Sequence, residues 1–259
     1  MNGQHLKSII KLFESLRYRH DLYSVFSDWC ECAAIAFSSA VDLKTREKRE
    51  QRYLQIVKRY QQDELEAFPK ILGEVTLALE NRPQDILGET FHALELHNKA
   101  RGQFFTPFEL CRLMAQLQVD GKEIDSLIER RGFLTAHEPA VGAGATVIAL
   151  TEALQNAGVN YQQHLHVVAI DVDPRAVHMS YVQFALLHLP AHVIVGDTLR
   201  FTFKEDWFTP AHILGGWSRK LRAAQSRSSN LVEAPPLETP EAEVETPEKL
   251  GLPLFDFGL

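Results

Sequence analysis

The segment GFLTAHEPAVGAGATVIALTEALQNAG, residues 132–158, contains a short apolar run, a glycine-containing turn and a longer run with helical spacing. Two related segments follow, HLHVVAIDVDPRAVHMSYVQFALLHL at 164–189 and AHVIVGDTL at 191–199. Strands that alternate with helices are typical of a parallel α/β sheet, in which the carboxyl ends of all strands lie at one edge and ligands bind there. The sequence therefore predicts an α/β domain over residues 101–222.

The region before this domain has the periodicity of helices. Leu6, Ile9, Ile10, Phe13 and Leu16 recur at helical spacing, and similar patterns continue to about residue 97. We therefore expect a helical domain over residues 1–100. The segment KTREKREQR, 44–52, is either a solvated helix face with alternating charges, which the pattern favours, or a basic face that contacts phosphate.

The C-terminal part changes composition twice. Residues 223–250 are rich in Pro, Glu, Ser and Thr, which predicts a disordered acidic linker, and residues 251–259 form a separate apolar peptide. From residue 223 to the end, seven acidic residues stand against two basic ones, a net of −5. The preceding residues thus carry only −2 of the total charge of −7. A body so close to neutral neither supports nor excludes DNA binding.

Several classes of protein are disfavoured by composition. The chain has 259 residues but no apolar run long enough to span a membrane, and its first twenty residues lack the features of a signal peptide. Three cysteines do not suggest a disulfide framework, and the eleven histidines lack the spacing of metal ligands. We expect a cytoplasmic protein without a metal and without a membrane partner.

Three predicted strand ends carry residues suited to a nucleoside. Gly142 and Gly144 lie directly before a helix, where the backbone can approach a ligand. Asp171 ends the next strand, where an acid can accept hydrogen bonds from both hydroxyls of a ribose. Asp197 and Thr198 follow the third strand. Together the three strand ends predict a nucleoside-binding edge.

Upstream, GQFFTPFEL at 102–110 has the pattern of a helix start. Thr106 can cap the helix, Pro107 fits the first turn, and Glu109 completes a capping box. That interpretation leaves the adjacent aromatics of GQFF unexplained.

The motifs GQFFTP, EPAVGAGA, IDVDP and GDTL, in this order, resemble those of the adenine-N6 DNA methyltransferases, most closely the modification subunits of type I restriction enzymes. The resemblance covers about residues 80–215. It implies a helical N-terminal domain followed by an incomplete Rossmann-like methyltransferase sheet, with S-adenosylmethionine (SAM) as cofactor and DNA as partner. The cofactor residues that it implies are Phe105, Thr106, Glu138, Ala140, Gly142, Gly144, Asp171, Val172 and Asp197. Glu138 stands where the family usually has Asp.

The catalytic motif of that family is Asn/Asp-Pro-Pro-Tyr/Phe, at the end of the fourth strand. Its side-chain oxygen and a proline carbonyl orient the adenine amine toward the methyl group, and its aromatic ring stacks on the flipped base. By distance from GDTL, the matching positions are Thr209, Pro210, Ala211 and His212, so only the first proline is kept. The resemblance implies catalytic roles for Thr209, Pro210 and His212, in weakened form.

Two functions are therefore open. The chain is either an adenine-N6 DNA methyltransferase, alone or with a restriction-modification subunit, or a non-catalytic module. Such a module would bind SAM, DNA or a partner in anti-restriction or replication. About ten residues between His212 and the predicted linker are too few for the three further strands of a complete sheet.

The peptide GLPLF, 251–255, resembles the Gln-Leu-x-Leu-Phe motif that binds the bacterial replication sliding clamp. Leu252, Leu254 and Phe255 match, and Gly251 replaces the glutamine. A short apolar anchor after a flexible linker suits a groove on a partner. The alternative is that this tail folds back over sheet left bare by the missing strands.

Overall fold

The computed structural model describes residues 2–80, 82–96, 106–119 and 121–232. Within these ranges the chain forms thirteen helices and four strands. The helices are α1 Asn2–Glu14, α2 Leu22–Ser39, α3 Arg46–Val57, α4 Gln62–Leu65, α5 Ala67–Glu80, α6 Ile86–Ala93, α7 Phe108–Gln118, α8 Gly121–Arg131, α9 Ala145–Asn156, α10 Tyr161–His164, α11 Pro174–Leu186, α12 Pro210–Leu214 and α13 Trp217–Val232. The strands are β1 Leu134–Glu138, β2 Leu165–Asp171, β3 Ala191–Asp197 and β4 Thr202–Phe208. The predicted α/β class is confirmed.

The helices before residue 97 pack on one another through large buried side chains. Phe13 contacts Phe26 and Trp29, and the Trp29 indole N–H donates to the Phe68 carbonyl at 3.0 Å. These contacts join α1, α2 and α5, as the helical periodicity predicts.

The same buried cluster continues into the sheet, so residue 100 is not a boundary in the packing. Helix α2 packs against α11, which covers β2 and β3. The Arg49 guanidinium lies 3.8 Å from the centre of the Trp207 ring in β4 and donates to the Asp206 carbonyl at 2.7 Å. The predicted domains 1–100 and 101–222 therefore form one core, because α2 and α3 cover apolar surface of α11 and β4.

The sheet has the order β1-β2-β3-β4. Strands β1, β2 and β3 are parallel, with Leu134 opposite Leu165 and Val167 opposite Ala191, whereas β4 is antiparallel to β3. Only residues 198–201 connect β3 to β4, and a parallel crossover needs a dozen or more residues. The expectation that all strand carboxyl ends share one edge is therefore wrong for β4.

Helix α13 extends to Val232, so the prediction that residues 223–232 belong to a disordered linker was wrong. The helix starts against the sheet, since the Trp217 ring is buried between Phe133 and His166. The remainder of the predicted linker, and the apolar peptide with Leu252, Leu254 and Phe255, lie outside the described residues.

Candidate functional site

The glycine turn between β1 and α9 adopts a backbone that favours glycine. Gly142 has φ +54° and Gly144 has φ +102°. A Cβ atom at Gly144 would lie 2.8 Å from Cε1 of Phe184 and 3.3 Å from Cβ of Ser180, both in α11. Gly144 therefore serves two purposes, a left-handed turn and the close approach of the turn to α11.

Asp171, the last residue of β2, holds this turn in place. Its Oδ2 accepts the Gly142 N–H at 2.9 Å, and its Oδ1 accepts the Asp173 N–H at 2.9 Å. Burial raises the pKa of Asp171, and the two backbone N–H groups partly offset this by favouring the carboxylate. Each carboxylate oxygen has two acceptor positions, so both oxygens can still accept a ligand hydroxyl.

Glu138, the last residue of β1, shapes the start of the same turn. Its Oε1 accepts the Ala140 N–H at 3.2 Å, and its Oε2 accepts the Thr146 hydroxyl at 2.7 Å. The carboxylate thus connects the strand end to the first turn of α9. Asp, which is usual at this position in the methyltransferases that the motifs resemble, has a side chain one methylene shorter.

The end of β3 closes the site on its third side. Both the Leu199 and Arg200 N–H groups donate to Asp197 Oδ1 at 3.0 Å. The Thr198 hydroxyl donates to the Pro139 carbonyl at 2.9 Å, so the hairpin after β3 is attached to the turn after β1. The structure therefore brings Glu138, Asp171 and Asp197 to one edge, as the motif order predicts.

Apolar side chains are exposed at this edge. Val172, next to Asp171, is 64% exposed, and Leu199 and Phe201 in the hairpin are more exposed still. Phe201 also has φ +52°, a conformation that costs energy for a residue with a side chain. Exposed apolar side chains near a carboxylate can contact an apolar part of a ligand that the carboxylate binds.

Thr106 is exposed beside α7 but does not cap it. The helix begins at Phe108 with Pro107 in the cap position and no side-chain cap, and Glu109 pairs with Arg112 at 3.1 Å. The capping-box prediction was wrong, because Pro107 occupies the cap position one residue later than expected. Phe105 lies outside the described residues.

Sequence reasoning missed Gln183, a fully buried residue of α11 that supports the glycine turn. Its amide nitrogen donates to the Ala143 carbonyl and to Asp85 Oδ1, each at 2.8 Å, and its oxygen accepts the Leu87 N–H at 3.1 Å. One side chain thereby connects the turn to α6. The signal in the sequence is a single amide within the apolar stretch of α11.

The residues matched to the catalytic motif lie at the opposite end of the strands, beside the first residue of β3. The Thr209 N–H donates to the carbonyl of Ala191, the first residue of β3, at 3.0 Å. Asp197 is six residues further along β3, which corresponds to about 20 Å at the usual rise of a strand. Because β4 reverses direction, the structure does not bring Thr209, Pro210 and His212 beside Asp197, contrary to the placement that the resemblance implies.

Instead these residues belong to a buried polar network. His212 Nδ1 lies 2.9 Å from His166 Nε2, and its Nε2 lies 2.9 Å from the Ser218 hydroxyl. Burial lowers the pKa of His166 to about 3 and that of His212 to about 4, so both rings are neutral near pH 7. Thr209 caps α12 and bonds to the start of β3. The network anchors α12 and α13 to the sheet.

Comparison with known proteins adds no family to this picture. No family model matches the chain, and no curated protein and no solved structure is significantly similar to it. The methyltransferase resemblance therefore rests on the four motifs.

Within the described residues, no group of three or more His, Cys, Asp or Glu side chains is arranged to hold a metal ion. None of the helices in these residues has both the length and the apolarity to cross a membrane.

Proposed function

We propose that this chain binds the adenosine part of SAM, or of a related nucleoside, without transferring the methyl group itself. The observation that carries the proposal is the contact between Asp171 and Gly142, which joins the acidic end of β2 to the glycine turn after β1. A ribose acid beside a glycine turn at a helix N-terminus is the arrangement by which doubly wound folds hold nucleotides.

The neighbouring groups supply complementary chemistry. Ala145 begins α9, so the first turn of that helix directs backbone N–H groups toward the same edge. Exposed Val172 can cover one face of a purine. Asp197 Oδ2 accepts no backbone N–H and lies 3.6 Å from Nε of the exposed Arg200, so an exocyclic amine would share this oxygen with Arg200. These features support an adenosine-type ligand over a simple phosphate.

The position of Thr209 supports a binding role over methyl transfer. Direct transfer needs the acceptor amine and the methyl carbon at about 3 Å, whereas the motif-equivalent residues lie about 20 Å from the Asp197 end of β3. DNA, a restriction-modification subunit and the sliding clamp stay predicted partners of this module.

Isothermal titration calorimetry with SAM, S-adenosylhomocysteine and adenosine tests the ligand. Replacing Asp171 with Asn puts an amide where two N–H groups need acceptors, so we expect SAM affinity to fall by about 10–100-fold, the usual effect of losing a charged hydrogen-bond partner. Asp206→Asn is the matched control, because Asp206 lies on β4 and pairs with His192. Equal SAM affinities of the two variants would contradict the proposal that Asp171 contacts the ligand.

A second measurement separates binding from catalysis. Incubation with methyl-labelled SAM and unmethylated DNA should leave the DNA unlabelled while calorimetry detects SAM. Label in the DNA that Asp171→Asn abolishes would establish the enzymatic alternative.

A further inference from the structure

The outer edge of β1 is open in the described part of the chain. Strand β1 pairs only with β2, although the first strand of a doubly wound sheet normally lies between the second and the fourth. Here the fourth strand extends the sheet beyond β3 instead. Unpaired N–H and C=O groups along a strand edge are a template for another strand, and natural proteins usually cover them.

Helix α7 beside this edge carries apolar side chains on two sides. Cys111 and Ala115 face Ala145 and Ala149 of α9 and are buried. The opposite side is exposed, even though its residues are large and apolar: Leu110, Leu113, Met114 and Leu117 are 48%, 53%, 44% and 80% exposed. They recur at intervals of three and four residues, which places them on one helix stripe.

A cavity connects these two features. It has a volume of about 180 Å³, and its lining includes Met114 of α7, Ala136 and His137 of β1 and Leu150 of α9. Glu138 and Thr146, at the start of the glycine turn, also line it. We define the α7–β1 surface as the exposed stripe of α7, this cavity and the open edge of β1. Met114 belongs both to the exposed stripe and to the cavity beside β1, and apolar side chains beside an unpaired strand edge suit an extended apolar peptide.

We propose that residues 251–259 of the same chain bind this α7–β1 surface and add a strand to the edge of β1. The peptide contains five large apolar residues, Leu252, Leu254, Phe255, Phe257 and Leu259. Nine residues are sufficient to pair along the five-residue strand β1. Pro253 lacks an N–H group, which is tolerated in a strand that forms the new edge.

The path of the chain favours this occupant. In α13, Ala223 and Ala224 line a cavity together with Gly132 and Phe133, the residues directly before β1. Eighteen residues, 233–250, separate the end of α13 from the peptide, and an extended segment of that length reaches up to about 60 Å. Tethering also raises the local peptide concentration to about the millimolar range.

Charge favours the same path. Residues 233–250 contain six glutamates and one lysine. Arg130 and Arg131 at the end of α8 are exposed, as are Arg219 and Lys220 at the start of α13. The basic side chains of α13 lie about 20 Å from its end, so an acidic segment that runs back from Val232 toward β1 passes them. A foreign peptide lacks this acidic segment.

Site-specific cross-linking of the full chain tests the proposal. With p-benzoylphenylalanine in place of Leu117, we expect irradiation to join α7 to a peptide within 251–259, in a product with the mass of one chain. The same residue at Leu214 of α12, which is also well exposed, is the control and should not capture the tail. A product of two chains would replace this proposal with self-association, and the absence of any product with 251–259 would overturn it.

Hydrogen exchange gives an independent readout. The tail variant Phe255→Asp should raise amide exchange at least about tenfold in 134–138 and leave α2 unchanged, since lost strand pairing exposes β1 amides to solvent. Val244→Asp introduces the same charge into the preceding segment and should have no effect. Equal exchange in β1 for both variants would contradict docking of the tail. Neither the cross-linking nor the exchange measurement uses SAM. Their results can therefore contradict docking of the tail whether or not SAM binding is observed.

Discussion

Thr209 and Ala191 are paired at the end of the sheet opposite the glycine turn. The Thr209 N–H donates to the Ala191 carbonyl at 3.0 Å, and the Ala191 N–H donates to the Thr209 hydroxyl oxygen at 2.9 Å. The same hydroxyl donates to the Leu189 carbonyl at 2.7 Å. The Thr209 hydroxyl thus completes the backbone hydrogen bonds at the start of β3, and it already has a donor and an acceptor as partners. Thr209 therefore has a structural role.

Replacement of Thr209 with Ala should therefore affect stability. The change leaves the Ala191 N–H and Leu189 carbonyl without this partner in a fully buried place, at a cost of about 1–3 kcal/mol. Urea denaturation measures the loss, and Thr209→Ser, which keeps the hydroxyl, should recover most of it. A Thr209→Ala variant of unchanged stability would contradict this interpretation.

Gly144→Ala tests the close approach of the glycine turn to α11. The added Cβ would lie 2.8 Å from the Phe184 ring at a residue with φ +102°. We expect a loss of at least about 2 kcal/mol, the backbone cost plus the steric one, and weaker SAM binding. Gly158→Ala is the control, since Gly158 also has positive φ, +81°, but open space around its Cβ position. Thermal unfolding of both variants separates the two contributions.

His178 predicts an acid-dependent loss of stability. It is 5% exposed, packs edge-on against Trp207, and its Nε2 has no hydrogen-bond partner among the described residues. Burial lowers its pKa from 6.5 to about 4. Between pH 6.5 and 4, the unfolded state binds a proton at His178 that the folded state does not bind. The free energy of unfolding is therefore intact above pH 6.5 and declines as the pH falls toward 4.

The measurement compares wild type with His178→Phe, which cannot be protonated. As the pH falls from 6.5 to 4, the unfolding free energy of wild type should decrease relative to that of His178→Phe. The expected change is about 1.4 kcal/mol per pH unit, or about 3 kcal/mol in total. Buried carboxyl groups such as Asp28 and Asp85, whose pKa values burial raises, shift stability in the opposite direction but cancel between the two proteins. A difference that does not vary with pH would contradict a buried neutral His178.

Gln183 and Asp85 predict coupling between the helical region and the glycine turn. Gln183→Ala removes the partner of a buried carboxyl group and of the Ala143 carbonyl, for which we expect a loss of about 2–4 kcal/mol. In a double-mutant cycle, adding Gln183→Ala to Asp85→Ala should lower the free energy of unfolding markedly less than Gln183→Ala does in the wild type. Additive effects in urea denaturation would show that the two residues act independently.

Much of the geometry around the glycine turn was predictable from short-range sequence. The glycines 142 and 144 precede a helix and Asp171 ends a strand, and local hydrogen bonds to the turn bring these residues together as expected. The extent of α13 was less predictable, because the polar composition after residue 223 hides a helix that is anchored at its start by Trp217.

The position of Thr209, far from the Asp197 end of β3, follows from the connection between β3 and β4. The distance from GDTL to Thr209 matches a family pattern along the sequence, but only four residues, 198–201, separate β3 from β4. That spacing permits a hairpin and is too short for a crossover to a parallel strand. Attention to connection length would have placed Thr209 at the opposite edge.

By itself, the sequence determined the alternation of strands and helices, the glycine turn and the acid that supports it, because these depend on neighbours within a few residues. Only the tertiary structure decided that the helical region shares its core with the sheet and that one edge of β1 is unpaired among the described residues. It also decided that Thr209 completes the start of β3. These properties depend on which surfaces meet when the chain folds, since burial of apolar area is not directional and local patterns do not specify the partner.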